Sequence, residues 1–324
     1  MPRTGESIAA RLRELSAAGK LDLPLPAGGH TGERFRALAG FAAEDTVLGR
    51  LVEAHTDAAA ILAELGAPPP VDGELWGVWA AEPPEPVVRA RREGSNWVLD
   101  GRKLWCSGAT ICSHALVTAR HGDERALFAV ALRQPGVRPV PDTWHAVGMG
   151  DSDSGAVDFA EVAAVPVGAP GAYLSRAGFW HGAIGVAACW FGSACEVARP
   201  LRARAAAGRA DEHALAHLGA VASGLHAART VLGRAADDID RGVPSDPVAQ
   251  RARARAVRAV VEQAATDTID RVGRALGAAP LCLDADHARR VADLAVYLRQ
   301  SHAEADLAAL GEDVAGEEFS WTRL

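Results

Sequence analysis

The 324-residue chain has no uninterrupted apolar run of about 18 residues or more, the length a helix needs to cross a bilayer, so the sequence excludes a spanning segment of that kind. The first residues, MPRTGESIAARLRELSAAGK, interleave charges with their apolar positions and lack the continuous apolar stretch of a signal peptide. A cytoplasmic location is the expectation. There is no excess of positive charge: 34 Lys and Arg stand against 41 Asp and Glu, for a net charge of −7. A protein that grips a phosphate backbone needs clustered cations to displace counterions, so nucleic acid is excluded as a partner. Cysteine is scarce and odd in number. Cys106, Cys112, Cys189, Cys195 and Cys282 form no CxxC pair, and neither a disulfide framework nor a zinc knuckle is encoded. They are expected to be reduced and mostly buried.

What is present is the composition of an ordinary globular chain: 49% hydrophobic and 23% charged residues, with glycine and proline dispersed. Its length exceeds the usual single-domain size and accommodates a β-unit flanked by helices.

Organisation follows from a change of period along the chain. Leu48, Leu51, Val52, His55, Ala58, Ala59 and Leu62 recur at steps of three and four, which predicts a packed helical face. GAPPPVDG at 66–73 collects helix breakers and marks a boundary. Beyond it the period becomes two. Asp100-Gly101 between two strand-like runs predicts a hairpin there, and HGDE at 121–124 separates ALVTAR from ALFAVAL. Helical spacing returns after Gly171, and helices are predicted at about 179–205, 210–242 and 284–310, with another beginning at Asp246-Pro247 and ending at Gly277. The expected division is a helical domain at 1–70, a β-domain at 71–168 and a helical bundle at 169–324, an α+β chain in three parts.

Four ordered segments then carry a resemblance. GSNWVLDGRKLWCSGA at 94–109 resembles the acyl-CoA dehydrogenase segment in which a hairpin leads into a Trp-x-Ser/Thr turn beside a flavin, with Trp105 and Ser107 at the matching positions. WHAVGMGDSDSGAVDFAEVAAVP at 144–166 resembles the stretch that closes that family's β-domain. RAAAGRADEH at 204–213 is similar to the family's Arg-x-x-Phe-Gly segment, with Arg204 and Gly208 matching and Ala207 in place of phenylalanine. GRALGAAP at 273–280 is similar to its Gln-x-x-Gly-Gly turn, with Gly277 corresponding and Arg274 where glutamine is usual.

The resemblance implies the acyl-CoA dehydrogenase-like fold, with a central β-barrel or sandwich between helical parts, and FAD as cofactor. Trp105, Ser107, Arg204, Gly208 and Gly277 are the cofactor-binding candidates. An indole can cover a flat ring while a hydroxyl or backbone N–H bonds its polar edge, and a guanidinium suits the pyrophosphate, in this family often that of a neighbouring subunit. A homo-oligomer, a small-molecule substrate such as an acyl-CoA, and an electron-transfer or reductase partner are implied in the same way.

Departures from the family pattern are as informative. Only some 65 residues precede the β-unit, and the Thr-Glu-Pro loop with its following Gly-Ser-Asp reads Ala81-Glu82-Pro83 and then PEPVVRA. At the position of the family's catalytic glutamate stand Gln300 and Ser301, and the alternative position, GFWHGAIG at 178–185, holds no carboxylate either. His181 and His302 are the nearby titratable candidates. A positioned base contributes about 10²–10⁴-fold to such a reaction. The sequence therefore leaves three readings: an FAD-dependent dehydrogenase of CoA thioesters, a flavin monooxygenase of the same fold that needs no α-proton base, and a non-catalytic subunit.

Other clusters take a structural reading. His213 and His217 lie one helical turn apart without a third ligand, and Asp151, Asp153 and Gly155 lack the spacing of a calcium loop. No metal site is expected. Arg251, Arg255 and Arg258 share one helical face that could bind an anion or a neighbouring subunit, although solvated charge is the commoner reading.

Overall fold

The computed structural model describes residues 5–315. Three helices, α1 (Gly5–Ala17), α2 (Thr31–Glu44) and α3 (Thr46–Glu64), precede seven strands: β1 (Trp76–Trp79), β2 (Val88–Glu93), β3 (Asn96–Lys103), β4 (His114–His121), β5 (Glu124–Ala131), β6 (Val137–Val140) and β7 (Ala156–Pro166). Then come α4 (Ala172–Ser175), α5 (Gly178–Ala206), α6 (Glu212–Asp240), α7 (Pro247–Leu276), α8 (Ala279–Leu283), α9 (Ala285–Tyr297) and α10 (Glu304–Ala315). Among the described residues the chain divides into two compact units, one built from residues 5–23 and Arg50–Phe179, the other from Pro24–Gly49 and residues 180–315. Among the described residues no helix is long and apolar enough to cross a membrane.

In the first unit the strands run in the order β1-β4-β2-β3-β7-β5, and β5 also pairs with β4. That second pairing closes five strands into a ring, which removes the free edges an open sheet would leave. Trp79, Leu99, Val117, Phe128, Phe159 and Val162 fill its interior. Outside the ring, Leu116, Leu127 and Val167 pack with Ala58, Ile61 and Leu62 of α3. Strand β4 therefore buries both of its faces, which is why ALVTA reads as a continuous run of small and apolar residues rather than an alternation.

The hairpin expected at Asp100-Gly101 is not there. Strand β3 runs straight through that dipeptide, and the turn falls at Gly94-Ser95, between the paired Glu93 and Asn96. Asp100 and Gly101 instead form an irregularity against β7. Asp100 accepts from the Glu161 N–H at 2.7 Å and from Arg91 at 3.1 Å. Gly101, at φ +124°, approaches the Val87 carbonyl so closely that a Cβ would lie 2.3 Å from that oxygen. The glycine serves a bulge, a role the sequence signal shares with a turn.

The second unit is helical. Asp211, Asp246 and Asp284 cap α6, α7 and α9, each accepting from a backbone N–H three residues on, at 2.8, 2.7 and 3.0 Å. Helix α5 lies against α2 so tightly that a Cβ on Gly192 would meet the Ala39 carbonyl at 2.0 Å. Arg290 donates to the Ala43 and Glu44 carbonyls at the end of α2 at 2.9 and 3.2 Å. These are the orphan acceptors that a helix C-terminus leaves. The single helix expected over 284–310 is two, α9 and α10, separated by a short 3-10 turn at Leu298–Gln300.

Candidate functional site

Two of the segments picked out in the sequence are stitched together in the barrel unit. Between β3 and β4 the chain makes a turn through Trp105–Cys112, and the loop before β7 carries Met149–Gly155. Cys106 N–H donates to the Gly155 carbonyl at 2.9 Å, Gly108 N–H to Ser152 at 2.9 Å, and Ala109 N–H to Asp153 at 3.1 Å. The Asp153 carboxylate accepts from the Thr110 N–H at 2.5 Å and from its hydroxyl at 2.8 Å. Trp79 on β1 donates its indole N–H to the Ser107 carbonyl at 3.0 Å.

This scaffold holds strained residues. Trp105, Met149 and Asp153 have φ of +55°, +58° and +49°, the left-handed region that side-chain-bearing residues rarely occupy and that surrounding structure must enforce. Trp105 pays for nothing in the core: it is 53% exposed. The enforced turn thus holds a large, flat aromatic face outward.

Ser107, next but one, is nearly buried, and its hydroxyl lies 2.8 Å from that of Ser154, which lies 2.7 Å from that of Ser152. The chain of hydroxyls ends where Ser152 donates to the Met149 carbonyl at 2.7 Å. The Ser107 N–H is taken by the Trp105 carbonyl at 3.1 Å. The Ser107 N–H is thus occupied within the tight turn at Trp105. The neighbouring thiols are inert: burial pushes Cys112 up to about 12 and raises Cys106 further still.

Lys103, at the end of β3, is buried and donates to the Thr118 carbonyl and hydroxyl, both at 2.8 Å. Burial lowers its pKa to about 8, opposed by the nearby Glu82 carboxylate. Glu82, in the Ala81-Glu82-Pro83 segment, lies 2.7 Å from Arg125. Both line small hollows: Glu82, Lys103, Thr118 and Arg120 surround one of about 10 Å³, room for about one water molecule.

The remaining candidates lie in the helical unit. Arg204 is exposed on the last turn of α5, Gly208 follows it at φ +67°, and Gly277 caps α7 at φ +70°. His181 is buried in the first turn of α5, Ser301 is buried after the 3-10 turn, and His302 is exposed with Asp306 at 3.4 Å. Arg258 ties both stretches where a catalytic glutamate was sought. It donates to the Ala183 carbonyl at 2.7 Å and to the Gln300 carbonyl at 3.5 Å, and its guanidinium stacks 4.6 Å over Trp190. The arginines of α7 are thus not a solvated face. Arg251 bonds Asp313 at 2.6 Å, while Arg255 bonds the same carboxylate and covers Trp180.

Sequence reasoning named Trp105 and Ser107 and missed the residues bonded to Ser107, Trp79 and Ser154, with Ser152 beyond; it also missed the buried Lys103 and, in the helical unit, the contacts of Arg258. The serine pair of DSDS was legible only as two polar residues two apart.

Comparison with known proteins agrees with this architecture. Residues 81–162 match the model of the acyl-CoA dehydrogenase middle domain. Dibenzothiophene monooxygenase of Rhodococcus erythropolis is 30% identical over 200 residues, covering 53% of this chain and 48% of the relative. The matched region therefore spans about half the length of that curated relative. The structure of TdsC from Paenibacillus sp. A11-2 with FMN and indole superposes with a TM-score of 0.80 at 18% identity, covering 98% of this chain and 96% of the other. The nitrososynthase of Micromonospora carbonacea var. africana does so with a TM-score of 0.79 at 20% identity, covering 98% and 94%. The chain therefore has the acyl-CoA dehydrogenase-like fold, and its residues 81–162 match the middle domain of that family.

Proposed function

We propose that this chain is a flavin-dependent monooxygenase rather than an acyl-CoA dehydrogenase. The observation that carries the choice is Arg258: where the dehydrogenase chemistry requires a carboxylate to remove an α-proton, a guanidinium bridges Ala183 and Gln300. A guanidinium stays protonated and cannot itself serve as that base. The similarity to dibenzothiophene monooxygenases points the same way.

The residues at hand fit a flavin in the barrel unit. Trp105 offers an exposed aromatic face, Ser107 a hydroxyl oxygen beside it, and the backbone ties to Ser152, Asp153 and Gly155 keep both in place. When bound, a reduced flavin supplies the two electrons with which one atom of O2 enters a substrate and the other leaves as water. The protein's part is to hold the ring against Trp105 and to admit an apolar substrate carrying an oxidisable heteroatom, such as a fused aromatic thioether.

FMN is the form we favour over FAD. In the segment that resembles an adenosine contact only Gly277 corresponds, a Cβ there would meet nothing within 4 Å, and Arg204 stands exposed. The TdsC structure was obtained with FMN. Assembly as a homo-oligomer and supply of reduced flavin by a separate reductase belong to the same reading.

The test mixes purified protein with reduced FMN anaerobically, then adds dibenzothiophene and 18O2. The reading predicts one labelled oxygen on sulfur and no bleaching of bound oxidised flavin by an acyl-CoA. Bleaching by the thioester without oxygen transfer would restore the dehydrogenase.

A further inference from the structure

Ser107 is the only candidate here whose hydrogens can be traced one by one. A hydroxyl has one proton to give and two lone pairs to receive with. At the far end of the chain the Met149 carbonyl cannot donate, so the proton between it and Ser152, 2.7 Å apart, is that of Ser152. Having spent it, Ser152 can only accept from Ser154, 2.7 Å away. Ser154 has then spent its own proton and can only accept from Ser107, at 2.8 Å. Any other assignment leaves two oxygens in contact at 2.7 or 2.8 Å with no hydrogen between them, in surroundings where Ser152 is 0% and Ser154 6% exposed and water cannot intervene. The Ser107 N–H is spent on Trp105 and its carbonyl is taken by Trp79.

We infer that Ser152 and Ser154 are positioning residues that commit the Ser107 proton to Ser154, leaving its oxygen only as an acceptor toward a ligand, and that this makes the site prefer reduced to oxidised flavin. The inference rests on the flavin reading given above. On the flavin ring edge, N5 changes its hydrogen-bonding role with redox state. N5 is a bare acceptor when the ring is oxidised and carries a hydrogen when it is reduced. An oxygen that only accepts faces a lone pair in the first case and receives a hydrogen bond in the second. For an enzyme that must hold delivered reduced flavin, the polarity is the useful one, and the three serines set it before any ligand arrives.

The test measures anaerobic dissociation constants of oxidised and of photoreduced FMN, and the midpoint potential of the bound flavin, for wild type, Ser154→Ala, Ser152→Ala and Ser154→Thr. Either alanine variant lets the Ser107 proton turn outward. The expected result is a loss of about five-fold in the preference for reduced over oxidised FMN, the effect of about one hydrogen bond, which for a two-electron couple is a fall of about 20 mV in potential. Ser154→Thr, which keeps the hydroxyl, restores the wild-type ratio. A merely structural disturbance weakens both redox states alike and leaves the ratio and the potential unchanged, and that outcome overturns the inference. Wild-type protein that binds neither form removes the flavin reading itself, a result distinct from binding without a change in ratio. Two variants at different distances from the ligand keep the test open if one fails to fold.

Discussion

The indole N–H of Trp79 reaches across from β1 to the carbonyl oxygen of Ser107 at 3.0 Å, and both groups are buried. A strand residue in the barrel wall thus anchors the turn on which the exposed Trp105 indole and the Ser107 hydroxyl stand two residues apart.

Trp79→Phe keeps most of the aromatic volume and removes the donor. The Ser107 carbonyl is left buried without its partner, a loss of about 1–2 kcal/mol. Urea denaturation should show that decrease in stability with little change in the slope of the transition. Equal stability of the two proteins would mean that the bond does not hold the turn.

Lys103 gives the molecule a measurable pH dependence. Its folded pKa, lowered by burial to about 8, lies below its ordinary value of 10.5. Below pH 8 the lysine is charged in both states and the folded protein bears the full cost of burying that charge. Between pH 8 and 10.5 the folded chain has released a proton that the unfolded chain still holds, so this group's contribution to stability becomes more favourable as pH rises. The difference in stability between wild type and Lys103→Met should therefore move in favour of wild type by about 3 kcal/mol across that window. The subtraction is needed because the buried Cys112 and Cys195 thiols, raised to about 12 and about 11, act in the opposite sense in alkaline solution. A flat difference from pH 7 to 10 would show that Lys103 titrates normally.

Much of the fold was legible because long amphipathic helices announce themselves. The caps at Asp246 and Gly277 bound α7 as the sequence suggested. The β-unit was harder. Asp-Gly favours hairpin turns through the glycine's freedom at positive φ, but a bulge draws on the same freedom, and only the Val87 carbonyl against Gly101 decides between them. The site was half legible. Trp105 and Ser107 sit in a recognisable segment, whereas the link from Ser107 to Ser154 spans 47 residues and depends on a barrel closing first. The α7 arginines were misread because nothing local announces that Asp313 and the Ala183 carbonyl will come to meet them.

Gly101→Ala tests the bulge directly. At φ +124° and with Val87 O 2.3 Å from the new Cβ, the substitution combines backbone strain with a clash against backbone that cannot swing aside. A loss of about 2–4 kcal/mol is expected, read from the midpoint of denaturant unfolding. Tolerance of alanine would mean that β3 does not pass Val87 in this register.

The account turns on whether the outward face of Trp105 receives a flavin. Anaerobic titration of wild type and Trp105→Ala with reduced FMN, followed by flavin absorbance, addresses that point most directly. Loss of one stacking surface of roughly 1–3 kcal/mol predicts at least a five-fold weaker complex for the variant, with its urea stability unchanged because the side chain is 53% exposed. Identical dissociation constants for the two proteins would contradict the assignment of this turn.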